Sequence, residues 1–255
     1  MKLIFKILGM LVLSVNLSSC VTETTGAIKR APDPIKQLQS HVDLGIGYIS
    51  NGEYARAKDN LTKALAIDPN SAQAHNAFGT LFQLEGEDSL AEQHFQHAID
   101  VDPNFSRARN NYGAFLYAKG RYQDAVDQLK VAGDDRLYQR RAQVFENLGI
   151  SYLKLDQTAD AETALIKSIQ LNPSQRRALL ELSELKYNAK EYVSARQLYA
   201  RHKRVAGQSA RSLWLCIRVS RIFNSEDQEA SCSLSLRNVF PNTVEFKQYQ
   251  ASLSG

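Results

Sequence analysis

The residues able to do chemistry are few and scattered. Cys20, Cys216 and Cys232 are the three cysteines, and His41, His75, His94, His97 and His202 the five histidines, of a 255-residue chain. His94 and His97 have the i, i+3 spacing that puts two imidazoles on one helix face, where they could share a metal ion. No cysteine or carboxylate joins them and Glu92 falls on another face, so a solvated helix surface is expected there. Gly45 and Gly47 open like a dinucleotide fingerprint, but Ser50 stands where the third glycine is needed and no strand precedes them. The sequence holds no G-x-S-x-G, no H-E-x-x-H and nothing resembling a catalytic triad. No catalytic residue, metal site or cofactor is expected, and the chain does not read as an enzyme.

Cys20 reads differently from the other two cysteines. It ends the run MKLIFKILGMLVLSVNLSSC, in which Lys2 and Lys6 precede an apolar core from Ile7 to Val15. That core is short of the roughly 20 residues a bilayer requires, and the pattern is that of an export signal. Leu17-Ser18-Ser19-Cys20 resembles a bacterial lipobox, which implies removal of a signal peptide over 1–19 and acylation of Cys20. Each buried CH₂ contributes about 0.8 kcal/mol, so several acyl chains hold a protein where one would not. Val21 follows, not Asp, which implies an outer-membrane, lipid-anchored protein facing the periplasm. Residues 20–37, with Gly26, Pro32 and Pro34 and no apolar period, read as the lipidated N-terminus and a tether. Its r.m.s. span is roughly 20–25 Å.

Cys216 and Cys232 flank a turn expected near 225, at positions that face one another across two antiparallel helices. An exported protein keeps its disulfides, and a bridge over a loop of this length contributes about 3 kcal/mol in the chain-entropy account. The pair is expected to be joined.

The elements that carry these residues follow from a repeat. Pro69 and Pro103 are 34 residues apart; Leu44-Gly45, Phe78-Gly79 and Tyr112-Gly113 keep the same interval, as do Ala57, Ala91 and Ala125, and Ala64, Ala98 and Ala132. A 34-residue unit of large–Gly, aromatic, Ala, large, Ala, Pro is the tetratricopeptide pattern, in which two antiparallel helices cross closely at small residues. The units are 38–71, 72–105, 106–139, 142–175, 176–209 and 210–243. The step from the third to the fourth is 36 residues, with Leu137 in place of proline, so a longer connection is expected there. The fifth and sixth units are degenerate, with Ser183 and Cys216 at motif positions, as terminal repeats of a stack often are. Residues 244–255 form a C-terminal helix or tail. The expected fold is all-α, a superhelical solenoid of about six repeats.

Net charge is +4 with no acidic tail or like-charge block, and nothing in the composition asks for nucleic acid. The segment 201–221 is locally basic, with Arg201, Lys203, Arg204, Arg211, Arg218 and Arg221 and no acid. It reads as a solvated face, or as a contact for anionic lipid or an acidic partner.

In proteins built from this repeat, the second, fifth, ninth and twelfth positions of each unit face a concave groove. Here these are Gln39, Val42, Ile46 and Ile49, then Gln73, Asn76, Thr80 and Gln83, then Arg107, Asn110, Ala114 and Tyr117. The groove would begin apolar and become polar. Asn76 and Asn110 would either bond an extended peptide or join neighbouring helices.

With its lipobox, Pro-containing tether, six repeats and the stretch ARNNYGAFLYAKGRYQDAVDQL, the whole chain resembles the PilF/PilW family of type IV pilus biogenesis lipoproteins. The resemblance implies a pilotin, which promotes localisation and multimer assembly of the pilus secretin by protein–protein binding in the groove. Its partners would be the secretin and, through acylated Cys20, outer-membrane lipid; the chain is expected to be monomeric. The alternative is an NlpI-like adaptor for peptidoglycan hydrolases and proteases, or for another envelope assembly machine.

Overall fold

The computed structural model describes residues 33–253. The segment read as a signal peptide, Cys20, and the stretch before Asp33 read as a tether lie outside the described residues. Among those described there are thirteen helices and no strand: α1 (Pro34–Ser50), α2 (Tyr54–Ile67), α3 (Ala72–Glu85), α4 (Asp88–Val101), α5 (Ser106–Ala118), α6 (Tyr122–Asp134), α7 (Arg141–Lys154), α8 (Thr158–Leu171), α9 (Arg176–Asn188), α10 (Tyr192–Val205), α11 (Ala210–Ile222), α12 (Glu226–Val239) and α13 (Val244–Ala251). Helix begins at Pro34, ahead of the boundary at 38 read from the repeat. Proline at the first helical position has its φ already set and lacks only an N–H that would be unpaired there.

Helices α1 to α12 make six hairpins with short turns, so partners run antiparallel and every odd-numbered helix points the same way. The glycines explain how closely they cross. A Cβ on Gly45 would sit 2.6 Å from Leu61 Cδ2, on Gly79 2.6 Å from Phe95, on Gly113 2.7 Å from Leu129, and on Gly149 2.7 Å from Leu165. Each glycine admits the large side chain of its own second helix, and those four large residues are fully buried. In the fifth hairpin Ser183 takes the glycine's place and its hydroxyl donates to Ala195 O at 2.7 Å. The added oxygen is therefore paired inside the core. In the sixth the sizes are exchanged: Ile217, fully buried, stands at the glycine position and Ser233 at the large one.

First helices touch their successors along the stack, whereas no second helix touches another among the described residues. A stack closer on one side curves toward it, so α1, α3, α5, α7, α9 and α11 line the concave face. The connection between α6 and α7 runs over 135–140, longer than the connections 68–71, 102–105, 172–175 and 206–209. Asp135 fixes it, accepting from Ser106 Oγ at 2.6 Å and from the Leu137 amide at 2.9 Å. The Tyr138 ring lies against the central core.

At the far end α13 covers α11 and α12, laying Phe246 and Tyr249 on the core of Leu213, Leu215 and Ile217. Cys216 of α11 and Cys232 of α12 are disulfide-bonded, with Cα atoms 6.3 Å apart.

Candidate partner-binding surface

The concave face does not present all of the side chains its register suggests. Val42 is 1% exposed, enclosed with Ala64 and Ala74. Asn76 and Asn110 are each 3% exposed. Asn111 Nδ2 donates to Asn76 Oδ1 at 3.0 Å, and Asn147 Nδ2 to Asn110 Oδ1 at 3.3 Å. The fifth position of a unit is thus covered by the first helix of the next one. Its amides join neighbouring helices, and Val42, Asn76 and Asn110 are corrected from groove to core. Ile46 and Ile49 are half-buried against the first-repeat core. Gln39, Gln73 and Arg107 are exposed, and Thr80, Gln83, Ala114 and Tyr117 half-exposed. Tyr117 lies under the Arg177 guanidinium, 5.7 Å from the ring centre, beside a small cleft that also takes in Ala114, Asn147 and Ile150.

Farther along, the concave face is charged and internally paired. Arg211 holds Glu181 through two hydrogen bonds of 2.6 and 2.7 Å and Glu184 at 2.9 Å. These bonds hold the Arg211 guanidinium protonated well beyond its ordinary range, against the opposing effect of burial. Arg218 reaches Glu184 at 3.5 Å and sits between Tyr187 and Trp214. Arg221 bonds Glu229 at 2.6 Å. The basic segment 201–221 therefore divides: Arg211, Arg218 and Arg221 are taken up by carboxylates, and Lys203 and Arg204 remain exposed.

The histidines also depart from the reading as a solvated face. His94 Nδ1 lies 2.9 Å from Nδ1 of His75, a residue of the neighbouring helix, and the His75 and His97 rings are 4.0 Å apart. His97 Nε2 is buried without a hydrogen bond. Burial, with the nearby His75 and His97, lowers His94 to about 4; burial lowers His75 as well. The cluster is half-buried, and that burial disfavours the charged forms of His94 and His75. Among the described residues no group of three His, Cys, Asp or Glu is arranged to hold a metal ion.

One apolar surface on the described residues was missed by reading the groove positions. A shallow cleft of about 670 Å³ on α1 is lined by Lys36, Gln39, Asp43, Leu44, Gly47 and Tyr48, among others. Leu44 is 47% exposed. Phe78 and Phe82 are the equivalents of Leu44 and Tyr48 one repeat later, and they share a core with Ala57 and Leu61 of the preceding second helix. Tyr112 and Leu116 do the same with Ala91 and Phe95. No described helix precedes α1, so Leu44 is exposed and Tyr48 is only half-buried, against the first-repeat core. The repeat register contained this signal: interior packing positions become surface at the first unit.

Matches to tetratricopeptide-repeat family models over residues 38–71, 94–127 and 147–210 agree with this geometry, and the chain is a tetratricopeptide-repeat solenoid. It is 39% identical to the type IV pilus assembly protein PilF of Pseudomonas aeruginosa, over 94% of this chain and 95% of that one. A solved structure of Pseudomonas aeruginosa PilF superposes with a TM-score of 0.84 at 40% identity, covering 86% of this chain and 99% of that one. PilW, a widely conserved type IV pilus biogenesis factor, shares the fold with a TM-score of 0.72 at 23% identity, covering 84% of this chain and 98% of the other. The chain belongs to the PilF/PilW family of type IV pilus tetratricopeptide-repeat proteins.

Proposed function

We propose that this chain is a pilotin: a lipoprotein anchored through Cys20 in the outer membrane, facing the periplasm, that promotes localisation and multimer assembly of the type IV pilus secretin. It acts by binding, without catalysis. The observation that carries the reading is the uncovered apolar face of the first repeat, in a chain whose family works in pilus assembly. Leu44, Gly47 and Tyr48 form a shallow apolar strip with charged rims at Lys36 and Asp43. Ile46 and Ile49, with Gln39, lead from it toward the concave side. Such a strip suits a short apolar segment of a partner, with the polar rim fixing its direction.

The test is deletion of the gene followed by assay of heat-resistant secretin multimers and of surface pili. Loss of both, with restoration by the wild-type chain and not by a Leu44→Asp/Gly47→Asp chain of normal abundance, is expected. Leu44 is exposed, and a Cβ at Gly47 meets nothing within 4 Å, so that variant keeps its fold. Normal multimers in the deletion would overturn the secretin reading and leave an envelope adaptor in its place. Cys20→Ala is expected to release the protein from the membrane.

A further inference from the structure

The edge of the solenoid that carries the connections between successive repeats changes charge along its length. At the first such connection stands Asp68; beside the second, Asp100 and Asp102 precede Arg107 and Arg109 in sequence; at the third, Arg136, Arg140 and Arg141 accompany Asp134 and Asp135. The fourth carries Arg176 and Arg177 and the fifth Lys203 and Arg204, with no carboxylate in either connection or the helix turns beside it; Glu146 accepts from the Ala178 amide at the fourth, and Glu181 and Glu184 take up Arg211 at the fifth. Arg136, Arg140, Arg176 and Lys203 are exposed and make no ion pair among the described residues. The opposite edge mixes both signs, with Lys119, Arg121 and Lys190 among Glu87, Asp88, Asp156 and Glu191.

At the first connection of the basic stretch is Leu137, 91% exposed and more open than any other large hydrophobic residue described. Its exposure is built in. The Leu137 amide is held by Asp135, Tyr138 turns inward to the core, and Arg141 Nε donates to Gly133 O at 2.6 Å. The leucine is thus propped outward between Arg136 and Arg140 on a fastened loop. Beside it, a polar cleft of about 320 Å³ is lined by Arg136, Arg140, Arg141, Asn172 and Gln175.

We propose that this edge docks on an anionic phospholipid bilayer, with Leu137 entering the interface, a headgroup phosphate in the cleft, and Arg176 and Lys203 resting on neighbouring headgroups. Three features favour lipid over an acidic protein. The charges extend over three successive connections without an apolar groove to hold a peptide in register. An exposed leucine between arginines, with Leu171 42% exposed on the rim of the same cleft, makes an insertion wedge whose apolar part enters the interface while its charged neighbours remain at the headgroups. The N-terminus of α1, at Pro34, lies on this same edge, because all first helices start there. The inference goes beyond the secretin reading and does not depend on it.

The test places a fluorophore at the wedge in the full chain. Leu137→Trp is mixed with vesicles of brominated phosphatidylcholine and phosphatidylglycerol, and compared with vesicles of brominated phosphatidylcholine alone. The parent chain, with Trp214, supplies the background. Extra quenching is expected only with the anionic vesicles and only at low salt. It should be absent from Glu87→Trp on the opposite edge. Adding Arg136→Glu, Arg140→Glu and Arg176→Glu should lower the lipid partition coefficient by about fivefold per arginine lost, on the order of a hundredfold or more together. No extra quenching at 137, or equal quenching at 87, would overturn the proposal. So would an emission shift on adding polyglutamate with none on adding vesicles, which would assign the edge to an acidic protein.

Discussion

The two ends of the solenoid are finished in opposite ways. At the first repeat the residues that elsewhere meet a preceding helix are left facing outward, and Leu44, Gly47 and Tyr48 line an open cleft. At the last, α13 lays Phe246 and Tyr249 over the core, and a disulfide joins the two helices of the sixth hairpin. A repeat stack is held by nearest-neighbour contacts, and an end unit has one neighbour fewer. Among the described residues, the missing neighbour is compensated by a helix at the last repeat only. An apolar end of this kind is what the proposed partner contact would use.

The largest effect should separate burial from exposure within α1 itself. Val42→Asp puts an unpaired carboxylate into a site 1% exposed, at a cost of roughly 4 kcal/mol or more. Leu44→Asp, two residues away on the open face, should change stability by less than about 0.5 kcal/mol. Urea unfolding of the two variants checks this. Equal losses would mean that the first-repeat face is covered in the folded protein, and the contrast between the ends would disappear.

At the closed end, replacing Cys216 and Cys232 by alanine should cost about 3 kcal/mol. Amide exchange should quicken in α11, α12 and α13 and stay unchanged in α1 and α2. Uniform quickening would show that the stack unfolds as one unit, so that the two ends are not independent.

Acid should attack from the other side. The unfolded value of a histidine is near 6.5, and His94 in the fold lies at about 4. Between those values the unfolded chain binds more protons, so stability falls as pH falls through this window and levels off below it. His75 is lowered too; discounted for solvent screening of a half-buried ring, the loss through His94 is on the order of 2 kcal/mol. Because the cluster lies in the second repeat, exchange should quicken in α3 and α4 first as pH drops from 7 to 4. His94→Gln should flatten that dependence.

Much of the fold was legible because the repeat's small–large pairs are local. Gly45, Gly79, Gly113 and Gly149 each announce a partner one helix later, and Leu137 in place of proline marks the longer connection. The candidate surface was less legible. Whether the fifth position of a unit is groove or core depends on the next repeat's first helix, so Val42 and Asn76 could not be separated from Ile46 by register. The histidine cluster needs His75, which reaches His94 and His97 only once α3 and α4 pair. The open face of α1 is an end effect: Leu44 and Tyr48 carry interior residue types, and only their place in the array exposes them.

The smallest effect sharpens the comparison most, because it uses two glycines of one helix. Gly45 and Gly47 lie in α1 and invite the same explanation from sequence. A Cβ at Gly45 would stand 2.6 Å from Leu61 Cδ2 and 2.7 Å from its Cγ, and Leu61 is fully buried. At Gly47 it meets nothing within 4 Å. Gly45→Ala should therefore destabilise by about 1–3 kcal/mol through overpacking. Gly47→Ala removes glycine's entropic penalty in a helix and should stabilise by about 0.5–1 kcal/mol. If Gly47 nevertheless serves the partner, by letting its chain approach α1 closely, Gly47→Ala should raise the melting temperature while lowering the yield of secretin multimers. A stabilised variant with undiminished multimers would show that the open end tolerates a methyl group at the centre of its cleft, and would move the contact toward Leu44 and Tyr48.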